Sequence, residues 1–289
     1  MFTIIIPSYN NLDYLKICIE SLCKNSFFKN QIIVHLNIGT DGSKEYLKKN
    51  NIDYTHTSYN AGICEGVNKA SKKSIFDYIV YGHDDFYYCP NWDIELYKEI
   101  KLINHNKFYL SGSMISNYGH NGLDCGNKAE NFDEQKILNN YNKISLNDHQ
   151  GSTWAPHIVH KDYWNLVGGF SEEFFPGAGS DPDFCMKLWN NGIRIFKGIS
   201  KSRVYHFESK TLRREKLSIG SKSSKLFLFK WGITINFFKN FYLKSGTIYN
   251  GILNEPIVDI KYAIEMAKCK FFLLYILIFN IFNNKITKK

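Results

Sequence analysis

Residues 78–93 read Tyr78-Ile-Val-Tyr-Gly-His-Asp-Asp-Phe-Tyr-Tyr-Cys-Pro-Asn-Trp-Asp93, an apolar run that ends on two adjacent carboxylates. Side by side, Asp84 and Asp85 repel each other, and packing a strand end gives no reason for them. They are either a solvated turn or a holder for something positive. The apolar part is short and bounded by turn residues, as expected of a strand buried on both faces. Runs of the same kind recur at 3–6 and 31–36. Between them Leu12, Leu15, Ile19 and Leu22 follow a helical spacing, and 43–49 does so more weakly. This alternation predicts an α/β fold with a parallel, doubly wound sheet and right-handed crossovers. Such sheets bind ligands beyond the carboxyl ends of their strands. Pro7-Ser-Tyr-Asn10, Asn37-Ile-Gly-Thr-Asp-Gly-Ser43 and His83-Asp-Asp85 all fall at such ends, so three polar loops converge on one rim.

The 289 residues are enough for one large domain with a helical appendage, and the 44% hydrophobic content argues against disorder. The net charge of +9 is concentrated between 201 and 230, where Lys201, Arg203, Lys210, Arg213, Arg214, Lys216, Lys222, Lys225 and Lys230 face only Glu208 and Glu215. A basic surface of this kind suits nucleic acid, anionic lipid or a phosphorylated small molecule. Without zinc-finger spacing, an RNP-type aromatic motif or a basic-region heptad, nucleic acid is the weakest of the three. Seven cysteines without a C-x-x-C pair read as reduced thiols, and the amino terminus has no basic stretch or cleavage site. Both point to a cytoplasmic protein.

Residues 113–150 are polar and lack periodicity, which reads as a long functional or disordered loop. Helices are predicted over 161–167 and 181–190, and extended chain over 194–199. The tail has an amphipathic stretch at 256–268, then an apolar run at 271–282 flanked by Lys268, Lys270, Lys285, Lys288 and Lys289. Twelve residues fall short of the roughly 20 that a span needs. The run is an interfacial membrane-docking helix, a helix packed on the core, or less naturally a span.

Three stretches carry chemistry. Asp84-Asp85 at a rigid strand end could bind Mg²⁺ or Mn²⁺, which typically bridge carboxylates to substrate phosphates. Gly177-Ala-Gly-Ser-Asp-Pro-Asp183 opens a helix, where Ser180 or Asp181 is either an N-cap or a general base for an acceptor hydroxyl. Pro7-Ser-Tyr-Asn10 and Asn60-Ala-Gly-Ile-Cys-Glu-Gly-Val-Asn68 offer amides and glycines that allow a ligand close to the backbone, or are turn chemistry.

Taken in order, these stretches resemble the inverting glycosyltransferases of family 2, which have the GT-A fold. The series is strand-Pro-Ser-Tyr-Asn, Gly-Thr-Asp-Gly-Ser, Asn-Ala-Gly-(x)5-Asn, strand-Asp-Asp, Val-Gly-Gly-Phe-Ser-Glu-Glu-Phe and Ser-Asp-Pro-Asp. The resemblance extends from residue 1 to about 210. It implies a catalytic domain over 1–215, with a nucleotide-sugar half at 1–112 and an acceptor half at 150–215, followed by a helical region at 216–289. It implies that Asp85 is a ligand of Mn²⁺ or Mg²⁺, that Asp84 lies near ribose or phosphates, and that Asp181 is the base. Pro7, Tyr9, Asn10, Asn37, Asp41, Asn60, Gly62 and Asn68 then fall in donor-binding segments. His206 matches a further metal or phosphate contact, and Arg213 and Arg214 would close over the diphosphate. His83 reads as a neighbour only.

Two departures stand out. Asn37 replaces an aspartate that contacts base or ribose, and Ser180 replaces a glutamate before the base, which leaves Asp183 as a rival base. The implied partners are a nucleotide-diphosphate sugar, a saccharide or lipid-linked acceptor, and a membrane surface through 270–289. A sugar-1-phosphate nucleotidyltransferase and a non-catalytic sugar- or nucleotide-binding protein are the alternatives. The first would carry a Gly-rich, Arg-containing loop where Pro7-Ser-Tyr-Asn10 stands.

Overall fold

The structure is a computed structural model that describes residues 1–117, 122–207 and 216–286, with backbone alone at 216–221 and 279–286. Its first half is the expected alternation: β1 (Phe2–Tyr9), α1 (Leu12–Asn25), β2 (Gln31–Asn37), α2 (Ser43–Lys49), β3 (Asp53–Thr57), α3 (Gly62–Ser71) and β4 (Tyr78–Tyr81). β1 lies between β2 and β4, parallel to both, and Phe2 through Ile6 are buried on both faces. β3 adds in parallel to β2 at the sheet edge. Its sequence, Asp-Tyr-Thr-His-Thr, has no apolar run, because an edge strand needs none.

Pro7 sits inside β1, and the reason is local. Ile5 accepts a hydrogen bond from Gly82 N–H (3.0 Å) on the β4 side, so Pro7, two residues on, faces that side too. β4 has already ended at Tyr81, opposite Ile5, so the N–H that proline lacks has no partner to lose.

The second half comprises β5 (Phe86–Tyr88), α4 (Trp92–Ile103), β6 (Tyr109–Ile115), α5 (Glu134–Asn140), β7 (His149–Gln150), β8 (His157–His160), α6 (Lys161–Leu166), α7 (Ser180–Asn190) and β9 (Phe196–His206). The strand order is β3-β2-β1-β4-β8-β6-β9-β5, with β7 also on β9. β1, β2, β3, β4, β6 and β9 run one way, and β5, β7 and β8 run against them. The sheet is therefore mixed but mostly parallel, with helices packed on it.

Two expectations are corrected here. The extended chain does not stop at Ile199: β9 continues to His206, because the aromatic run Phe86–Tyr88 is an antiparallel edge strand that pairs with its second half. Residues 113–150 are not simply loop. They contain α5, capped by Asp133 accepting from Lys136 N–H (2.9 Å), and Phe132, Ile137 and Tyr141 join Tyr87, Cys89, Ile115, Cys125, Tyr205 and Phe207 in a satellite apolar cluster. Its members are too dispersed in sequence to show periodicity.

α8 (Lys216–Trp231), α9 (Ile235–Phe237) and α10 (Ile260–Ile286) complete the chain. Phe227, Leu228, Ile233, Phe237, Phe238 and Leu253 are buried in the same core as the sheet. The two predicted tail segments are one continuous helix, α10. Among the described residues no helix is long and apolar enough to cross a membrane.

His157 lies at the centre of this core, fully buried, ringed by Tyr81, Tyr109, Phe170 and Phe184 at centroid distances of 5.2, 4.7, 5.9 and 5.6 Å. Neither ring nitrogen has a hydrogen-bond partner among the described residues, and burial pushes its pKa down to about 3. The unfolded chain therefore takes a proton below pH ~6.5 that the folded chain refuses, so stability is full above that pH and falls as acid is added. His157→Leu removes one such proton. The slope of unfolding free energy between pH 6.5 and 5 is expected to shrink by about 1 kcal/mol per pH unit in urea titrations. An unchanged slope would mean that His157 finds a proton partner.

Candidate active site

At the carboxyl end of β4 the chain turns through Gly82-His83-Asp84-Asp85 into β5. Gly82 is required by space, since a Cβ there would collide with the Tyr88 hydroxyl. β5 then pairs with β9 so that Phe86 stands opposite His206. That register brings His206 Nε2 within 3.3 Å of Asp85 Oδ2, while Phe207 N–H donates to the Asp85 carbonyl (3.2 Å). His83 Nδ1 approaches the other carboxylate oxygen, Oδ1, at 3.9 Å. Both imidazoles rest on one ring: His83 stacks on Phe86 (4.7 Å) and His206 meets it edge-on (4.9 Å). One ligand atom from each of His83, Asp85 and His206 lies within 4.8 Å of the others, a donor set that fits a divalent ion. Burial lowers the His83 pKa to about 4, so the ring is neutral at neutral pH. His83, which reads from sequence as a bystander, thus joins His206 beside Asp85.

Asp84 behaves differently from Asp85. Burial first, and repulsion from Asp85 second, push its pKa up to about 7, opposed in part by the nearby Ser8 and Asn11 side chains. Ser8 and Asn11 place it beside the β1–α1 turn.

Asp181 lies in the first turn of α7. The N-cap is Gly179, at φ +82 with no side-chain cap bond, and Ser180 donates instead to Gly177 C=O (2.7 Å). Capping by Ser180 or Asp181 is therefore not what the helix start uses. Asp181 Oδ1 is buried without a hydrogen-bond partner among the described residues, and burial pushes the carboxyl up to about 7, opposed by Lys239. Asp183, one residue past Pro182, is fully buried and engaged. It accepts from Ser171 Oγ (2.6 Å) and Trp231 Nε1 (2.8 Å), and Lys230 Nζ lies 3.0 Å away. Asp183 thus ties α8 to α7, a task that Asp181 does not share. The buried Tyr81 hydroxyl reports how close the two halves come. Its pKa stands well above the usual value through burial, then through the fields of Asp181, Cys64, Asp85 and Asp84.

The segments expected to hold the donor are at the same rim, with their side chains variously occupied. Pro7 is buried in β1 and Tyr9 is exposed. Asn10, at φ 45, exchanges hydrogen bonds with Thr40, its Oδ1 accepting from Thr40 N–H (2.9 Å). Asp41 accepts from Leu12 N–H (2.8 Å) and Ser43 N–H (3.2 Å), locking the β1–α1 and β2–α2 turns together. Asn37 is buried and accepts from Ala61 N–H (2.8 Å), so its carbonyl oxygen holds the loop before α3. Asn60 accepts from Gly62 N–H (3.0 Å). Gly62, at φ +69, touches the 175–176 turn so closely that a Cβ would sit 2.9 Å from the Pro176 carbonyl. Asn68 clamps the backbone of Phe170, donating to its carbonyl (2.8 Å) and accepting from its N–H (2.9 Å). Its side chain joins the two halves of the sheet layer. Arg213 and Arg214 lie outside the described residues.

A cleft of about 470 Å³ opens beside this rim, between Asn10–Tyr14, Asp41 and residues 127–130. Asn127, Lys128 and Glu130 come from the stretch that shows no pattern in sequence, and only the fold brings them to the cleft.

A mostly parallel sheet with a strand-end carboxylate pair, covered by helices on its faces, is the GT-A architecture of nucleotide-sugar transferases. The chain belongs to glycosyl transferase family 2, whose model matches residues 3–154. It is similar to chondroitin synthase of Escherichia coli, with 23% identity over 242 residues that cover 71% of this chain and 34% of the synthase. The chain therefore spans about a third of that relative's length. Among solved structures, TarS 1-349 of S. aureus in complex with UDP superposes with a TM-score of 0.55 at 16% identity, covering 80% of this chain and 72% of TarS 1-349. GalNAc-T7 with UDP, GalNAc and Mn²⁺ gives a TM-score of 0.55 at 13% identity, covering 71% of this chain and 43% of that one. At these identities the superpositions carry the fold.

Proposed function

We propose that the chain transfers a sugar from a uridine-diphosphate donor to a saccharide or lipid-linked saccharide hydroxyl, with inversion at the anomeric carbon, in polysaccharide or glycolipid synthesis. The observation that carries this reading is the Asp181 oxygen without a partner among the described residues, on a carboxyl raised to about 7, across from the Asp85 cluster. A base needs a pKa near the working pH and a free lone pair, and Asp181 has both. Asp183 has no free lone pair to offer, since its oxygens are taken by Ser171, Trp231 and Lys230. The choice of a uridine nucleotide rests on the UDP and UDP-GlcNAc carried by TarS structures of the same fold.

In the proposed reaction the acceptor oxygen forms a bond to the anomeric carbon as the bond from that carbon to the diphosphate oxygen breaks. The acceptor proton passes to Asp181, and UDP leaves with the bonding electron pair. Asp85 and His206 hold a divalent cation, which when bound neutralises the diphosphate charge. Asp84 faces the ribose and phosphates, Tyr9 and Asn10 border the nucleotide, and Asp41, Asn37, Asn60, Gly62 and Asn68 fix the loops that shape its site. Incubation with Mn²⁺ and a panel of UDP-sugars is expected to release UDP slowly by hydrolysis from one of them. Release from none, with release from another nucleotide sugar, would refute the uridine assignment.

The acceptor half of the proposal extends to the tail. Tyr262, Met266, Cys269, Leu273 and Ile276, at intervals of four, three, four and three, pack α10 against the core. Ile260, Ile264, Phe271 and Ile278 form a second apolar stripe that is exposed, Phe271 at 70%. Lys261, Lys268 and Lys270 flank it, the arrangement of a helix lying in an anionic bilayer surface. The full chain is expected to sediment with phosphatidylglycerol vesicles, and Ile264→Glu with Phe271→Glu is expected to release it at least tenfold. Equal sedimentation of wild type and variant would exclude this docking face.

A further inference from the structure

We propose that His83 is a third protein ligand, making the rim site a two-imidazole, one-carboxylate centre that selects Mn²⁺ or a similar first-row transition ion over Mg²⁺ and binds it before any nucleotide arrives. The proposal rests on Asp85 being a metal ligand and adds to it a residue and a selectivity. A strand-end carboxylate alone would suit Mg²⁺, a hard ion that is usually held by one or two carboxylates together with substrate phosphates. Nitrogen donors change that preference, because imidazole favours the transition ions, whereas water and carboxylate suffice for Mg²⁺. Two imidazoles on one carboxylate also supply three protein ligands, enough to retain an ion without phosphate and still leave open positions for a diphosphate.

The placement of His83 is fixed from several sides. Its carbonyl accepts from Cys18 Sγ (3.4 Å), which anchors the turn to α1. Its ring is stacked on Phe86 and meets Tyr81 edge-on at 5.3 Å. The two imidazoles contact each other edge-on at 5.8 Å, with Phe86 setting their spacing. Both rings retain solvent access, 27% for the His83 side chain and 22% for that of His206, so an ion can reach them from solvent. The 3.9 and 3.3 Å separations from the two Asp85 oxygens are of the size found between neighbouring ligands around one ion, whose bonds to N and O are about 2.0–2.2 Å long. A histidine kept only for stacking on Phe86 would not need its Nδ1 directed at Asp85.

The test uses metal alone. The full-length, nucleotide-free chain is titrated with Mn²⁺, free Mn²⁺ being read by electron paramagnetic resonance, and with Mg²⁺ in competition. Wild type is expected to bind Mn²⁺ without nucleotide, with Mg²⁺ at least tenfold weaker. His83→Gln and His83→Ala are each expected to weaken Mn²⁺ at least tenfold and to narrow the gap to Mg²⁺, while Asp181→Asn leaves both unchanged. The visible spectrum of the Co²⁺-loaded protein is expected to shift in His83→Gln, which loss of a stacking partner alone would not produce. Mg²⁺ binding as tight as Mn²⁺ in wild type would overturn the selectivity. Mn²⁺ affinity in both His83 variants within twofold of wild type, with Asp85→Ala having lost it, would overturn the role of His83 and leave the proposed function standing. Asp85→Ala that still binds Mn²⁺ normally would instead overturn the metal assignment on which both depend.

Discussion

Asp181→Asn is expected to lower sugar transfer by at least about a thousandfold while leaving UDP-sugar affinity within about twofold, and to make the folded protein more stable. The rate loss follows from removing the proton acceptor while keeping the shape of the side chain. The gain in stability follows from the raised carboxyl. Folded Asp181 holds its proton to a pKa of about 7 against an ordinary value of 3.8. The penalty is thus absent below about pH 4, grows as pH rises, and is complete above 7. Asparagine at this position removes it, so at pH 8 the substitution should stabilise the chain by on the order of 2 kcal/mol, a rise of a few degrees in Tm. The same raised value sets the pH profile: transfer should increase with pH through about 7 as Asp181 becomes able to accept a proton. Asp183→Asn should do the reverse on stability. It breaks a fully buried contact to Lys230 and Trp231 and so lowers Tm. A variant at Asp183 that lost only transfer, with Asp181→Asn still active, would move the base to Asp183.

The second large effect is expected at Asp85. Asp85→Ala should reduce kcat/KM on the order of a thousandfold and abolish the dependence of donor binding on added Mn²⁺. Asp84→Asn should be milder, because Asp84 is already shifted toward its protonated form by burial and by its neighbour. Equal loss at the two positions would contradict the division of labour between a cation-holding Asp85 and a donor-facing Asp84.

How much of this was legible in the sequence depended on how local each signal was. The apolar runs of β1, β2 and β4 and the helical spacing of Leu12, Leu15, Ile19 and Leu22 specify their elements by themselves, so the rim could be located from them. β3 could not, being a polar edge strand. The aromatic run Phe86–Tyr88 hid an edge strand, and with it the pairing that carries β9 on to His206. Pairing between strands so far apart in the chain leaves no periodicity to read. Because that pairing also sets His83, Asp85 and His206 around Phe86, the part played by His83 was illegible for the same reason. Asn37 and Asn68 show the opposite case. Their residue types suggested ligand contacts, whereas in the fold their amides are occupied by the backbone of Ala61 and Phe170. An amide at a strand end serves a ligand or a neighbouring loop equally well, and only the contact decides. The choice between Asp181 and Asp183 was likewise a matter of geometry, of which carboxylate reaches Trp231 and Lys230 in a helix far along the chain.

Central to the proposed function is a metal-bound nucleotide diphosphate held at the Asp84-Asp85 rim. Calorimetric titration of UDP into the full chain tests this most directly. Binding is expected with Mn²⁺ present, and a drop of at least tenfold in affinity is expected on chelation or in Asp85→Ala. UDP affinity that is the same with Mn²⁺, with chelator and in Asp85→Ala would contradict it.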